Sequence, residues 1–536
     1  MWSVWQTCRT GRRAAGFLGG LLVALLLAAG PAAGEFGSPI VLTDTPVASM
    51  RPAIAIDGLG QVFLAWREGN GALDGTIMLR RSKPPKQSCG GPAPLTLEDF
   101  DPPVLISAGT VGASSPSLAV AGSDVFFAWQ VLQGLNGFSD IYFRRCRNGC
   151  MNPALDLDQA FNLSNTPASS TFPNVTTDGN GRVFVAWSDS TAPNGTFMPA
   201  EILVARSADG GADKFPVRAN LSGTQPVMSR APWVGTDGVS VYLAWDEGST
   251  IAFRKFSATT TDMLGTATPQ MSQAPQNLSS GLGLSSSPAL GVGDGMVVVS
   301  WVSGSAVYES TPDGVNPPPA PVLVAGNLSG PSDARVARRG GNTLMAWQHM
   351  NGTNPDIGFR VLGASPEGPG TVPPAGTPGT SSTPAAAVDS SGRMVVAWAD
   401  RTSGNDEIYL SENGVTGGGS EALAEVRVMP QRVNRRTIDV PGQPSLTVFV
   451  RLPGGSQINR DSMRMNGQSP LPGPTDAGEY NGGGAGEVML KFSRSVLNYS
   501  EAGKPLALPN GKYKVSGKTT SGDCFATETG TLQLIQ

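Results

Sequence analysis

Carboxylates recur at matched places along this chain of 536 residues. They are Glu68, Asp74, Asp140, Asp189, Glu201, Asp246, Glu247, Asp356, Asp400, Asp406 and Glu407, set among Arg51, Arg67, Arg230 and Arg401. Carboxylate oxygens gathered on one surface suit calcium, a cationic partner or a neutral glycan, and they repel a carboxylate sugar. The same scatter of acids also caps strand ends and keeps a surface hydrated. His349 is the only histidine. It follows an apolar tryptophan phrase and has no identified serine partner, which argues against a Ser-His-Asp hydrolase. A single histidine also excludes multi-histidine metal sites, so no cofactor is expected, calcium being the one exception these residues admit. Cys146 and Cys150 flank an Asn-Gly turn in CRNGC and are spaced for a hairpin disulfide. Pairing of Cys89 with one of them, or no pairing at all, remains open.

Positioning these groups falls to a repeat. Trp66, Trp129, Trp187, Trp245, Trp301, Trp347 and Trp398 stand 46 to 63 residues apart, each closing an apolar run such as QVFLAW, RVFVAW or MVVAW. A proline precedes most of them by thirteen or fourteen residues: Pro52, Pro116, Pro173, Pro232, Pro288 and Pro384. Between proline and tryptophan lies a turn such as DGLG, DGNG or DSSG, which supplies the positive φ of a tight hairpin. A third strand follows (TIMLRRS, DIYFRRC, EILVARS), and a fourth (PVLIS, FNLS, ANLS, QNLS) precedes the next copy. The tryptophan strand is apolar at nearly every position, so both faces of its sheet must be buried. Sheets stacked face to face around an axis meet that need. The chain is therefore expected to be all-β, with a seven-bladed β-propeller over residues 38–425. The short fifth and sixth copies leave six or eight blades open. The tryptophans are assigned structural positions between blades, without a catalytic role. SPIVLT, residues 38–43, matches a fourth strand yet precedes the first copy, so it should complete the last blade. The NLS triplets at Asn162, Asn220, Asn277 and Asn327 belong to this register rather than to glycosylation.

The repeat resembles the sialidase-type propeller family, whose Asp-box (BNR-like) signature is echoed by Ser207, Asp209 and Gly211 in SADGGADKF, with weaker echoes at 310–315 and 411–416. In that family the box is a structural turn. The resemblance implies Arg51, in SMRPAIAI, as a substrate-carboxylate ligand and Asp74 as acid/base. The Phe and Ile that flank the family arginine are missing here. No second and third arginine and no tyrosine-glutamate pair are identified; Tyr308, Glu309 and Tyr409 read as strand residues. Acids also stand in the Asp74 register in other copies, at Asp140, Glu201, Asp356 and Glu407.

Beyond about residue 425 the pattern becomes alternating, as in SLTVFVRL and GEVMLKFSR, which predicts a small β-sandwich over 426–536. INRDSMRMNG, VMLKFSR and GKYKVSGKTTSGDCF resemble an immunoglobulin-like accessory module found at the ends of secreted bacterial proteins. At the other end, Arg9, Arg12 and Arg13 precede a short apolar core (FLGGLLVALLLAA) and small residues near Gly34, the three-part pattern of a signal peptide over 1–34. No later run is long enough to span a bilayer, and the net charge of −4 with no basic run points away from nucleic acid. The expectation is a secreted, periplasmic or cell-surface binding or surface-interaction protein without catalysis. Its glycan or protein ligand would sit on the acidic propeller face. The alternative is an exo-sialidase-like glycoside hydrolase.

Overall fold

The computed structural model describes residues 36–413, apart from 86, 89–90, 93–94, 134–136, 179–180, 192–196, 209–213, 225, 259–273, 363–369 and 373–378, together with the strands beyond Ala422. The leader segment, Cys89, Asp209 and Gly211 of the Asp-box echo, and the long loop at 467–487 lie outside the described residues.

Seven four-stranded antiparallel sheets form the blades of a propeller. Their inner strands are Ser49–Ile56, Ala113–Ala121, Ser170–Thr177, Ser229–Thr236, Ser285–Gly293, Ser329–Arg339 and Ser381–Val388. The tryptophan strands follow as Val62–Glu68, Asp124–Gln133, Val183–Thr191, Ser240–Glu247, Met296–Ser303, Asn342–Asn351 and Met394–Asp400. They are buried almost end to end; Met394–Asp400 has no exposed position. That burial explains the unbroken apolar runs, because a blade has a neighbour on each face.

Each of the seven repeat tryptophans is at most 1% exposed. Each also belongs to an apolar cluster shared with the preceding blade. Trp129 packs with Phe63, Ala65 and Ile77 of blade 1, and Trp66 closes the ring on Ala397, Ile408 and Leu410 of blade 7. In blade 6 the residue opposite Trp347 is Gly358, where a Cβ would lie 2.6 Å from the indole nitrogen.

Closure uses the start of the chain. Ile40–Val41 pairs antiparallel with Glu407–Glu412 as the outer strand of blade 7, with Ile40 opposite Leu410. Buried Arg393 reinforces the seam: it pairs with Glu412 at 2.5 Å and donates to the Gly60 carbonyl of blade 1 at 3.2 Å. This pairing supplies blade 7 with the fourth strand that its own repeat lacks.

From Ala422 onward the strands form a four-stranded sheet, which includes Ile458–Met465 and Val515–Thr519, and a three-stranded sheet of Glu425–Met429, Leu446–Arg451 and Val488–Phe492. Val428, Leu446, Val448, Val450, Met463, Met465 and Phe492 are buried. Among the described residues no helix is long and apolar enough to cross a membrane.

Candidate functional site

The seven inner strands share a kink near their starts. In each, the ladder register slips by one residue (in blade 6 it slips twice, Asp333 lying at the second), and the residue at the slip has a positive φ between 48° and 54° in blades 1 to 4, 57° in blade 5, and 50° and 49° in blades 6 and 7. These residues are Arg51, Ser115, Phe172, Ala231, Ser287, Asp333 and Thr383. In every blade but the sixth the next residue is proline. A side chain in the left-handed region costs about 1–2 kcal/mol relative to the right-handed one, so seven such positions are maintained against a local preference. The proline lacks an N–H and therefore leaves no orphan donor at the bulge. All seven side chains line one cavity of about 710 Å³ at the hub. Asn174, Trp233 and Arg335 also face it.

The ring brings three arginines to this cavity: Arg51, Arg230 and Arg335. Arg51 is exposed and donates to Ser115 Oγ at 2.8 Å. Arg335 pairs with Asp333 at 3.3 Å and lies 5.4 Å from the centre of the Trp233 ring, a cation–π stack. Two carboxyls, Asp246 and Asp333, line the same space.

Asp74 is placed differently. Its carboxylate accepts the N–H groups of Asn70 (3.1 Å) and Gly71 (2.7 Å) and lies 3.6 Å from Arg67. It thereby closes the loop between the second and third strands of blade 1, and it is not among the residues lining the cavity. Burial lowers the Arg67 pKa despite the Asp74 charge.

Most of the other acids on this face are turned inward. Asp140, Asp189, Glu201, Asp246, Asp356, Asp400 and Glu407 are buried, and hydrogen bonds along the repeat account for most of their positions. In blade 3, Asp189 accepts the Trp187 indole N–H at 3.0 Å and the Ser170 hydroxyl at 2.8 Å. Glu68 and Asp400 take the indoles of Trp66 (3.2 Å) and Trp398 (3.4 Å) in the same way. Asp140 accepts from Asn162 and Ser164 of an NLS triplet, and the Ser164 hydroxyl accepts the Ile141 N–H at 2.9 Å. Ser222 and Ser279 accept the N–H groups of Ile202 and Ile251 identically. These three triplets are therefore side-chain ties between outer and third strands, whereas Ser329 of the Asn327 triplet begins the inner strand of blade 6. Among the described residues no three acidic, histidine or cysteine side chains come together to hold a metal.

Blade 2 shows how the tie can be omitted. Ala113 faces Val131 where blade 3 pairs Ser170 with Asp189, and the Trp129 indole nitrogen has no hydrogen-bond partner. Tyr308 and Tyr409 stack on Trp301 and Trp398 at 6.3 and 5.9 Å. His349 is the register partner of Asp356, and burial lowers its pKa against the pull of that carboxylate. Cys146 and Cys150 form a disulfide with their Cα atoms 5.4 Å apart.

Sequence reasoning singled out Arg51 and Asp246 but not Phe172, Trp233, Asp333 or Arg335. For Phe172 the available signal was its place before a repeated proline; Asp333 precedes Ala334, and Trp233 and Arg335 stand elsewhere in their repeats. The αL conformation of Phe172 is unexpected there, since a following proline favours extended backbone.

No family model matches the chain, and no curated protein matches it by sequence. Solved structures that it resembles include a protein of unknown function from Dyadobacter fermentans, at 13% identity and TM-score 0.41 over 70% of this chain and 98% of that one. Another is Trypanosoma rangeli sialidase in complex with the inhibitor DANA, at 8% identity and TM-score 0.37 over 61% of this chain and 58% of the enzyme. A third is a polysaccharide lyase, an ulvan lyase bound to a GlcA-Rha3S saccharide, at 10% identity and TM-score 0.43 over 71% and 94%.

Proposed function

We propose that this protein is an exported binding protein whose ligand, a glycan, seats in the hub of the propeller. The observation that carries this reading is the ring of seven left-handed residues. The framework around it repeats: the tryptophan recurs in all seven blades, the proline in all but the sixth, and the strand ties in several. The ring side chains differ in kind: a guanidinium, hydroxyls, an aromatic ring, a methyl and a carboxylate. Variation confined to the inward-facing position of a repeated frame is what reading an irregular polar ligand requires. A cavity of about 710 Å³ is of the size that holds small ligands. Phe172, 46% exposed, offers a face on which a sugar ring can stack, and Trp233 lines the same wall. The export component rests on the leader-like residues 1–34, and the alternating strands beyond 425 would form a separate accessory domain.

Hydrolysis of the sialidase kind would need Arg51 and Asp74 to act on one substrate, but the Asp74 carboxylate is engaged by its own loop. The test is a glycan array followed by calorimetry. The purified chain should bind a subset of saccharides without consuming them, and Phe172→Ala should weaken binding at least tenfold. Turnover of a fluorogenic sialoside or of a neutral glycoside, lost in Asp74→Ala, would replace this reading with a hydrolase.

A further inference from the structure

The residue after the tryptophan has a structural task in three blades. It accepts the main-chain N–H of the left-handed residue in the next blade. Ser188 Oγ accepts from Ala231 at 3.2 Å, Gln348 Oε1 accepts from Thr383 at 3.3 Å, and the Asp246 carboxyl accepts from Ser287. Neutral acceptors suffice in blades 3 and 6. Blade 4 instead carries a carboxyl, only 7% exposed, whose Oδ1 has no hydrogen-bond partner among the described residues. An ionised oxygen left in that state is costly, and the neutral acid has an O–H with nothing to receive it. In either form one hydrogen bond is missing, at a residue that lines the cavity. Arg230 stands directly opposite Asp246 in the ladder and lines the same cavity. It is exposed and donates no hydrogen bond to a described residue.

We propose that Arg230 and Asp246 form one subsite, which takes an oxyanion of the ligand together with a proton from solvent. The guanidinium meets one ligand oxygen, and the neutral carboxyl donates its O–H to another. This subsite rests on the binding reading above and adds proton-dependence to it. The charged groups facing Asp246 are few. Blade 4 contributes Arg230 from its inner strand and apolar Ile251 from its third strand. Blade 5 offers Ser286 and Ser287, and the charges elsewhere on the cavity wall are Arg51, Asp333 and Arg335. Burial pushes the Asp246 carboxyl up to about 7, against the opposing pull of Arg230 and the Ser287 N–H. The neutral donor is therefore populated near neutral pH.

The experiment measures affinity by calorimetry from pH 5 to 9 for three probes: trigalacturonate, a sulfated disaccharide and maltotriose. At least one anionic probe should bind with constant affinity below pH 7 and lose about tenfold per pH unit above it, as one coupled proton requires. Which anionic probe binds distinguishes a carboxylate from a sulfate ester. Asp246→Asn keeps an acceptor for Ser287 and should abolish the slope. Arg230→Gln should weaken the anionic probes and spare maltotriose. His349→Gln should leave the slope intact. Anion binding that is flat from pH 5 to 9, a slope that survives in Asp246→Asn, or a preference for maltotriose would overturn the subsite while leaving the binding reading in place. Absence of binding by all three probes and by the array would remove both.

Discussion

The Ser–acid–Trp tie of blade 3 can be taken apart using blade 2 as the template. Asp189 is 2% exposed and receives the Trp187 indole and the Ser170 hydroxyl, both fully buried. Asp189→Val orphans the buried Trp187 indole, at roughly 1–3 kcal/mol, and takes one acceptor from the Ser170 hydroxyl, which keeps Thr166 Oγ1 at 3.0 Å, so a loss of about 3 kcal/mol is expected. Ser170→Ala removes one hydrogen bond to a charged acceptor and should cost about 1.5 kcal/mol. The double variant recreates the Ala113–Val131 pair, in which the only orphan is an indole nitrogen that the molecule already tolerates at Trp129. Its cost should therefore fall short of the sum of the singles by about 2 kcal/mol, within the range for residues in direct contact. Urea unfolding followed by tryptophan fluorescence reads these differences from midpoints at constant slope. If the two changes add to within about 0.5 kcal/mol, the carboxylate does not hold the hydroxyl and indole as one unit, and the account of the repeated acids fails.

Gly358→Ala should destabilise by about 1–3 kcal/mol, because the new methyl meets the Trp347 indole at 2.6 Å; thermal unfolding checks it, and an unchanged Tm would mean the indole moves freely. Arg393→Met strips the guanidinium from Glu412, whose side chain is 11% exposed and keeps only the Leu95 N–H, and should cost about 3 kcal/mol in urea unfolding, with Glu412→Gln in the same background recovering part of the loss. Asp246 titrates near 7 when folded and near 3.8 when unfolded, so above pH 7 the folded state bears a penalty that is absent below pH 4. Asp246→Asn should accordingly unfold at higher urea than the parent at pH 8 and at nearly equal urea at pH 4; a gap that does not narrow on acidification would contradict a buried neutral acid.

The propeller was legible because its signals are repeated. One Ala-Trp phrase says little, but seven tryptophan phrases, six of them Ala-Trp and six preceded by a proline in register, fix strand number, blade boundaries and even the displaced strand at 38–43. The hub was less legible. Arg51 drew attention through a family motif, whereas Phe172, Asp333 and Thr383 occupy the same ring position with nothing in their chemistry to unite them. Their common feature is a backbone angle, and composition does not encode φ. The acids misled in a different way: counted along the chain they suggest a charged mouth, but Asp189 and Asp400 are engaged internally by tryptophans and serines, and Glu407 is buried with one oxygen on the Thr45 N–H. The serines at the inner-strand starts were the visible half of that arrangement. The lone oxygen of Asp246 depends on what fails to reach it, which no pattern of spacing reveals.

The strand at Ile40–Val41 has a consequence for the order of events during synthesis. Thr43 accepts the main-chain N–H of Ile408, a partner made 365 residues later. Ile40–Val41 is made long before Glu407–Glu412 and lacks its ladder partner until that strand of the seventh blade exists. Phe36 then bridges Asn413, which sets the two ends of the ring side by side. A circular permutant that joins those ends and opens the chain between two other blades would have its first and last strands supplied in sequence, and should reach the native state without that delay.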